Sequence, residues 1–219
     1  MDTICFIGGG NMASAIIGGL LKSGRSAQAI RVVDPGEAQR DKLRADFGVT
    51  ALAAADASLA QASLVVWAVK PQFFQAAAAP CAPHVVGALH LSVMAGIRSD
   101  AIVHATGAQR VVRAMPNTPA LIGQGISALF ARDAVTAGDK AQVEQLLAPT
   151  GQTLWVAREQ DLDAVTALSG SGPAYVFYFV EAMMQAAREM GLSPEQGKRL
   201  ALATFAGSAA LAAQSDDPP

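Results

Sequence analysis

A run of three glycines near the start of the chain has the spacing to hold a phosphate. Ile4-Cys5-Phe6-Ile7-Gly8-Gly9-Gly10-Asn11-Met12-Ala13 reads as G-x-G-x-x-A through Gly8, Gly10 and Ala13. In such a motif the first glycine permits a tight turn and the second lets the backbone approach a pyrophosphate. The small third residue allows close packing of helix on strand. The N–H groups of Asn11, Met12 and Ala13 would open the helix and face the anion along its dipole. A plain tight turn between strand and helix is the alternative. Asp34 stands 24 residues beyond Gly10, near the spacing at which an acidic residue meets the adenosine ribose. An aspartate there favours the free 2′-hydroxyl of NAD and opposes the 2′-phosphate of NADP. It could equally cap the helix that follows. Arg40, one turn into that helix, could lean back toward a 2′-phosphate, so the two cofactors stay open.

Three later stretches add polar groups where strands or helices end. The apolar run Leu64–Val69 ends in Lys70-Pro71-Gln72. The carboxyl ends of parallel strands are where ligands sit in doubly wound sheets, which places Ala68, Val69, Lys70 and Pro71 on the cofactor side. Lys70 is otherwise a solvated strand-end lysine. Arg110–Met115 ends in Pro116-Asn117-Thr118-Pro119, a rigid loop suited to a nicotinamide contact or to a structural turn in which Asn117 bonds its own backbone. Ser169-Gly170-Ser171-Gly172-Pro173 interrupts a helical stretch. Glu181 lies inside an apolar helix, where a buried carboxylate would need partners; it is either a structural hydrogen-bonding group or a proton donor. His84, His90 and His104 share no spacing, which argues against a metal site or an acid–base triad.

The elements that must carry these groups alternate. Strands are expected at Ile4–Ile7, Ala29–Val33, Val49-Thr50, Leu64–Val69, the run leading into Leu91–Gly96 that His84 and His90 flank, Arg110–Met115, Gly125–Phe130 and Thr153–Val156. Helices follow Gly10, run over Glu37–Asp46, Ala54–Ala60 and the alanine run after Pro71, hold His104, and span Thr136–Leu147. Strand–helix alternation is the α/β signature. Beyond about residue 158 alanine, leucine and methionine recur at helical spacing instead. The chain therefore divides into an α/β domain, residues 1–158, and an all-helical domain, residues 159–219. The second holds helices over Asp161–Leu168, Ala174–Met190 and from the Ser193-Pro194-Glu195-Gln196 capping box to about Ala213, then a polar tail to Pro219. Tyr175 to Val180 is apolar nearly all round, which predicts burial on several sides.

Composition narrows the function classes. Of 219 residues, 52% are hydrophobic and 16% charged, so either the core is large or another subunit covers apolar surface. A net charge of −2 without a basic cluster gives no electrostatic case for nucleic acid or an anionic membrane. Cys5 and Cys81 make no disulfide framework. Asp2 precedes a short apolar run that ends in glycine, unlike a secretory signal, and the run Ala174–Val180 meets Glu181 too early for a membrane span. The expected location is cytoplasmic.

Four motifs in this order resemble the pyrroline-5-carboxylate reductase family: Phe6–Ile16, Ala68-Val69-Lys70-Pro71-Gln72, Arg113–Ala120 and Thr166–Tyr175. The resemblance covers essentially the whole chain. It implies a Rossmann-type dinucleotide-binding domain followed by a helical domain that dimerises by interleaving helices, with a homodimer or a higher homo-oligomer as the assembly. It implies reduction of 1-pyrroline-5-carboxylate to L-proline, with NADP(H) as the hydride donor and NAD(H) as the alternative. Gly8, Gly10, Asn11, Met12 and Ala13 would take the pyrophosphate and Asp34 the ribose. Ala68, Val69, Lys70 and Pro71 would flank the cofactor, and Asn117 would meet the nicotinamide end. Ser169, Gly170, Ser171 and Gly172 would line the substrate side, with Ser171 and Glu181 as the catalytic candidates. No metal is implied. The family pattern continues with a T-S-P-G-G-T-T segment that grips the substrate carboxylate, and these 219 residues contain none. Either the chain is truncated or it lacks part of the pyrroline site. A β-hydroxyacid dehydrogenase of the same plan would want a lysine in the helical domain, where only Lys198 stands, well past the motif. A non-catalytic dinucleotide sensor is the other class.

Overall fold

Alternation along the first strand decides the layers. In β1 (Thr3–Ile7) successive side chains point to opposite faces, and from Ile4 to Ile7 all four are buried. Ile4 and Phe6 join one apolar layer with Ala13, Ile16, Ile17 and Leu20 of α1 (Asn11–Lys22), Leu43 of α2 (Glu37–Phe47) and Val143, Leu146 and Leu147 of α5 (Ala137–Leu147). Cys5 and Ile7 join the other layer with Phe74, Ala78, Cys81 and Val85 of α3 (Phe74–Val85) and Ile102 of α4 (Ser99–Thr106). A sheet buried on both faces is the setting in which parallel strands occur.

The computed structural model describes residues 3–216. Asp2 and the end of the polar tail, residues 217–219, lie outside the described residues. The remaining strands are β2 (Ile30–Val33), β3 (Thr50–Leu52), β4 (Ala62–Trp67), β5 (Leu89–Ser92), β6 (Val111–Met115), β7 (Gly125–Ala131) and β8 (Gly151–Trp155). They form one sheet in the order β3-β2-β1-β4-β5-β6-β7-β8. Strands β1 to β6 run parallel, β7 is antiparallel to β6, and β8 is parallel to β7. The order reverses between β1 and β4, so the β1 and β4 carboxyl ends face a crevice.

Several boundaries differ from expectation. The third strand begins at Thr50 rather than Val49, after Gly48 closes α2 in the left-handed region at φ 65°. The helix expected over Ala54–Ala60 is a 3-10 turn, Ala57–Gln61, started by Asp56 accepting the Ser58 N–H at 2.8 Å. The central strand stops at Trp67. After Ala68 donates its N–H to the Ile7 carbonyl, the chain turns into the 3-10 turn Pro71–Phe73. The last strand is Gly151–Trp155 rather than Thr153–Val156. His90 lies inside β5, fully buried. Its Nδ1 accepts the Trp67 indole N–H at 3.0 Å and its Nε2 donates to the Val85 carbonyl at 2.9 Å.

Residues up to Gly170 form one compact unit and those from Ser171 another. The first unit ends with α6 (Asp161–Val165) and a π-helical turn, Thr166–Gly170. The expected loop at Ser169 is thus helical, with Thr166 returning its hydroxyl to the Leu162 carbonyl at 2.7 Å. The second unit contains α7 (Gly172–Glu189) and α8 (Pro194–Gln214). Ser193 and Gln196 cap α8 reciprocally, and Gly191 at φ 88° ends the turn before it. Phe179 and Phe205 meet with ring centroids 6.2 Å apart. Within the single chain the burial expected of α7 is not supplied: Tyr175, Phe177, Tyr178 and Phe179 are 53%, 65%, 70% and 59% exposed. Glu181 is exposed as well. A pair of helices has too little interior to cover an apolar surface that runs round most of one of them.

Candidate functional site

The turn after β1 is shaped for close backbone approach. Gly8 adopts φ 95°, a conformation that L side chains rarely take, and a Cβ there would lie 2.7 Å from the Ala68 carbonyl oxygen. Gly10 differs. It is the N-cap of α1, in extended conformation, with no side-chain cap and no acidic residue in the first turn. A Cβ on Gly10 would meet nothing within 4 Å. The positive end of α1 is left open beside that space, an arrangement that suits an anion. Asn11 is exposed and Met12 half-buried at this end. Ala13 is fully buried in the layer beneath, so the small third residue of the motif serves helix packing.

A cleft of about 560 Å³ opens here. It brings together Gly8, Gly10, Asp34, Ala68, Val69 and Lys70 from the expected set. Asn11, Met12, Ala13, Pro71 and Asn117 are not among its lining residues. Ala53, Ala54 and Ala55 after β3, Phe73 just before α3, and Ala76, Ala77 and Pro80 within α3 add apolar wall. This apolar part could have been read from the alanines that follow a strand and from the alanine run after Pro71. Cys81 also lines it, and burial pushes its thiol, like that of Cys5, up to about 11. Both are protonated at neutral pH and unsuited to nucleophilic work.

Asp34 does something its spacing did not reveal. One carboxylate oxygen accepts the Gly9 N–H at 2.9 Å and the other the Gly36 N–H at 2.8 Å. It does not serve as the N-cap of α2; Gly36 does, without a side-chain bond. The Gly9 carbonyl accepts Gln39 Nε2 and the Ser14 hydroxyl. Gly9 is therefore held through both its N–H and its carbonyl, which fixes the glycine turn to the end of β2. Arg40 donates Nη1 to the Asp34 and Pro35 carbonyls at 2.9 and 2.7 Å.

At the end of β6, Asn117 is half-buried and its amide is engaged at both ends. Its Oδ1 accepts the Ile126 N–H at 3.0 Å and its Nδ2 donates to Ser169 Oγ at 3.3 Å. It bonds across to two other segments rather than to its own backbone. Gly170 packs where a Cβ would lie 2.5 Å from Met115 Cε. The first half of the Ser169–Gly172 motif is thereby docked against the β6 end; Ser171 and Gly172 begin α7 in the second unit. Behind this junction Arg113 and Glu159, both largely buried, pair at 2.9 Å. Glu159 also accepts the Ser99 N–H at 2.6 Å and the Ser99 hydroxyl at 2.8 Å. Burial works to raise the Glu159 pKa. The bonds from the Ser99 backbone, Arg113 and the Ser99 hydroxyl outweigh it and hold the carboxyl below the usual glutamate range. Among the described residues no His, Cys, Asp and Glu cluster could hold a metal ion, and no helix is long and apolar enough to cross a membrane.

Comparison with known proteins gives the family. Residues 159–219 match the family model for pyrroline-5-carboxylate reductase dimerisation, and residues 3–96 match that for coenzyme F420-dependent NADP oxidoreductases. The pyrroline-5-carboxylate reductase of Pseudomonas aeruginosa is 44% identical over 99% of this chain and 80% of its own length. That of Pasteurella multocida is 39% identical over 99% of this chain and 81% of its own. Among solved structures, the Coxiella burnetii pyrroline-5-carboxylate reductase superposes with a TM-score of 0.89 at 32% identity, covering 99% of this chain and 81% of that one. The Plasmodium falciparum enzyme, solved with NADP bound, does so with a TM-score of 0.87 at 28% identity, covering 99% and 80%. With its Rossmann-type sheet, glycine turn and C-terminal helices, the chain belongs to the pyrroline-5-carboxylate reductase family.

Proposed function

We propose that this chain reduces 1-pyrroline-5-carboxylate to L-proline with NADP(H), or alternatively NAD(H), as the hydride donor. The observation that carries the reading is the open α1 N-terminus beside Gly10, in a cleft walled by Asp34 and Ala68–Lys70. The residues present fit a dinucleotide. Gly8 lets the turn close against Ala68, and Gly10 leaves free the space that a pyrophosphate would fill. When bound, the reduced nicotinamide supplies the hydride that the imine carbon accepts. The chain's own part is to bind and orient. The N–H groups of Asn11, Met12 and Ala13 hold phosphate, Asp34 takes the adenosine ribose, and Ala53–Ala55 with Phe73 and Pro80 form an apolar wall for the adenine. Val69, Lys70 and Pro71 flank the nicotinamide half, and Asn117 sets Ser169 at that end.

Ser169, Gly170, Ser171 and Gly172 are assigned to the substrate. Ser171 offers a hydroxyl to the ring nitrogen, and Glu181, farther along α7, is the acidic candidate. A protonated imine is already a good electrophile, so no strong side-chain acid is required. Functionally we divide the chain into residues 1–158, which bind the dinucleotide, and 159–219, which dimerise and meet the substrate. The exposed α7 aromatics support a homodimer or a larger homo-oligomer, in which a second copy covers them. The location assigned is cytoplasmic. Gly10→Asp tests the placement: it would put a carboxylate where the phosphates belong and abolish NADPH and NADH binding with the fold retained. Unchanged affinity in a folded Gly10→Asp protein would refute it.

A further inference from the structure

We infer that the cleft discriminates against the 2′-phosphate and prefers NADH to NADPH, with Asp34 as the residue that sets the preference. The inference rests on the dinucleotide reading and deepens it. Asp34 lies at the carboxyl end of β2 and lines the cleft. Its carboxylate cannot swing aside without losing two backbone hydrogen bonds, from Gly9 at 2.9 Å and Gly36 at 2.8 Å. Both bonds come from neutral N–H groups and leave the negative charge in place. Among the described residues Asp34 makes no ion pair.

The two cations nearby are poorly placed to reverse this. Arg40, the residue that could have met a 2′-phosphate, is not among the cleft-lining residues, and its Nη1 is held on the Asp34 and Pro35 carbonyls. Lys70 does line the cleft, but it follows β4, and β1 stands between β4 and β2. Strand spacing separates those two strand ends by about 10 Å. A ribose with a free 2′-hydroxyl can donate to the lone pairs that the Gly9 and Gly36 bonds leave on Asp34. A ribose 2′-phosphate brings further negative charge and no such donor. Like charges at this range disfavour NADPH on the order of tenfold or more. NADP(H) still binds through its other contacts; the preference, rather than the admission, is set here.

The test is equilibrium binding of NADH and NADPH to the full chain, followed by nicotinamide fluorescence, with 5′-AMP and 2′,5′-ADP as displacing probes. The expected result is a dissociation constant for NADH at least about tenfold below that for NADPH, and the same order for 5′-AMP over 2′,5′-ADP. Asp34→Asn keeps an oxygen for the Gly9 N–H and removes the charge. It is expected to lower the NADH-to-NADPH preference about tenfold, mainly by tightening NADPH, with the melting temperature reporting the fold. Equal or tighter binding of NADPH by the unaltered chain overturns the inference alone. So does a folded Asp34→Asn protein with an unchanged ratio. Failure of both dinucleotides to bind overturns the inference together with the reading it rests on.

Discussion

Replacing Glu159 by alanine should be among the most damaging single changes outside the apolar core. Glu159 accepts three hydrogen bonds, from the Ser99 N–H, the Ser99 hydroxyl and Arg113. Arg113 is only 4% exposed, and among the described residues its Nε already lacks a hydrogen-bond partner. Glu159→Ala leaves that guanidinium charge buried without a counter-ion. Breaking one side of a buried pair costs about 3–5 kcal/mol. For a chain of this size that lowers the Tm by roughly 6–20 °C. Glu159→Gln keeps an acceptor for Ser99 and should fall in between. The exposed pair Lys42–Asp46, 3.1 Å apart, is the control, and Asp46→Ala should change stability by less than about 1 kcal/mol. Urea and thermal unfolding of the three variants read these differences. If Glu159→Ala stayed within about 1 kcal/mol of the parent, the reading of Glu159 as the stabilising counter-ion of buried Arg113 would be refuted.

Two further outcomes follow, one from burial and one from exposure. His90 must stay neutral to accept the Trp67 N–H, and burial lowers its pKa, against a smaller raising effect of the Val85 carbonyl. The unfolded chain therefore binds this proton more readily than the folded one. Stability is full above the ordinary histidine value and declines as the pH falls below it toward the depressed folded value, by up to about 1.4 kcal/mol per pH unit. His90→Gln should flatten this part of the stability profile; an unchanged slope would contradict the assignment. On the second unit, Phe177→Glu with Tyr178→Glu should weaken self-association about thirtyfold or more in sedimentation equilibrium, and an undiminished oligomer would exclude this face from the interface.

The layered sheet could be read from the sequence because its strands are buried on both faces and so appear as continuous apolar runs, as at Leu64–Trp67. Direction could not be read in the same way. Gly125–Ala131 has the same apolar character whether it pairs parallel or antiparallel, and its reversal against β6 depends on the turn through Pro119–Gly123. The glycine motif marked the phosphate turn because Gly8 needs its positive φ and Gly10 its empty space. Gly9, at the variable position of that motif, carried no signal although its N–H anchors Asp34. Asn117 was legible as a polar group at a strand end, but its partners, Ile126 and Ser169, are 9 and 52 residues away and no local rule joins them. Glu181 and the α7 aromatics, expected to be buried, are exposed in the single chain for one reason. An all-round apolar helix signals a covered surface, and periodicity does not say whether the cover comes from the same chain.

The most direct test of the account is turnover. Purified chain, NADH or NADPH, and pyrroline-5-carboxylate are mixed, the loss of reduced nicotinamide absorbance is followed, and proline is measured in the same samples. The account predicts imine-dependent oxidation with one proline formed per dinucleotide consumed, abolished by Gly10→Asp. Dinucleotide that binds in the cleft while no proline appears from pyrroline-5-carboxylate would contradict it.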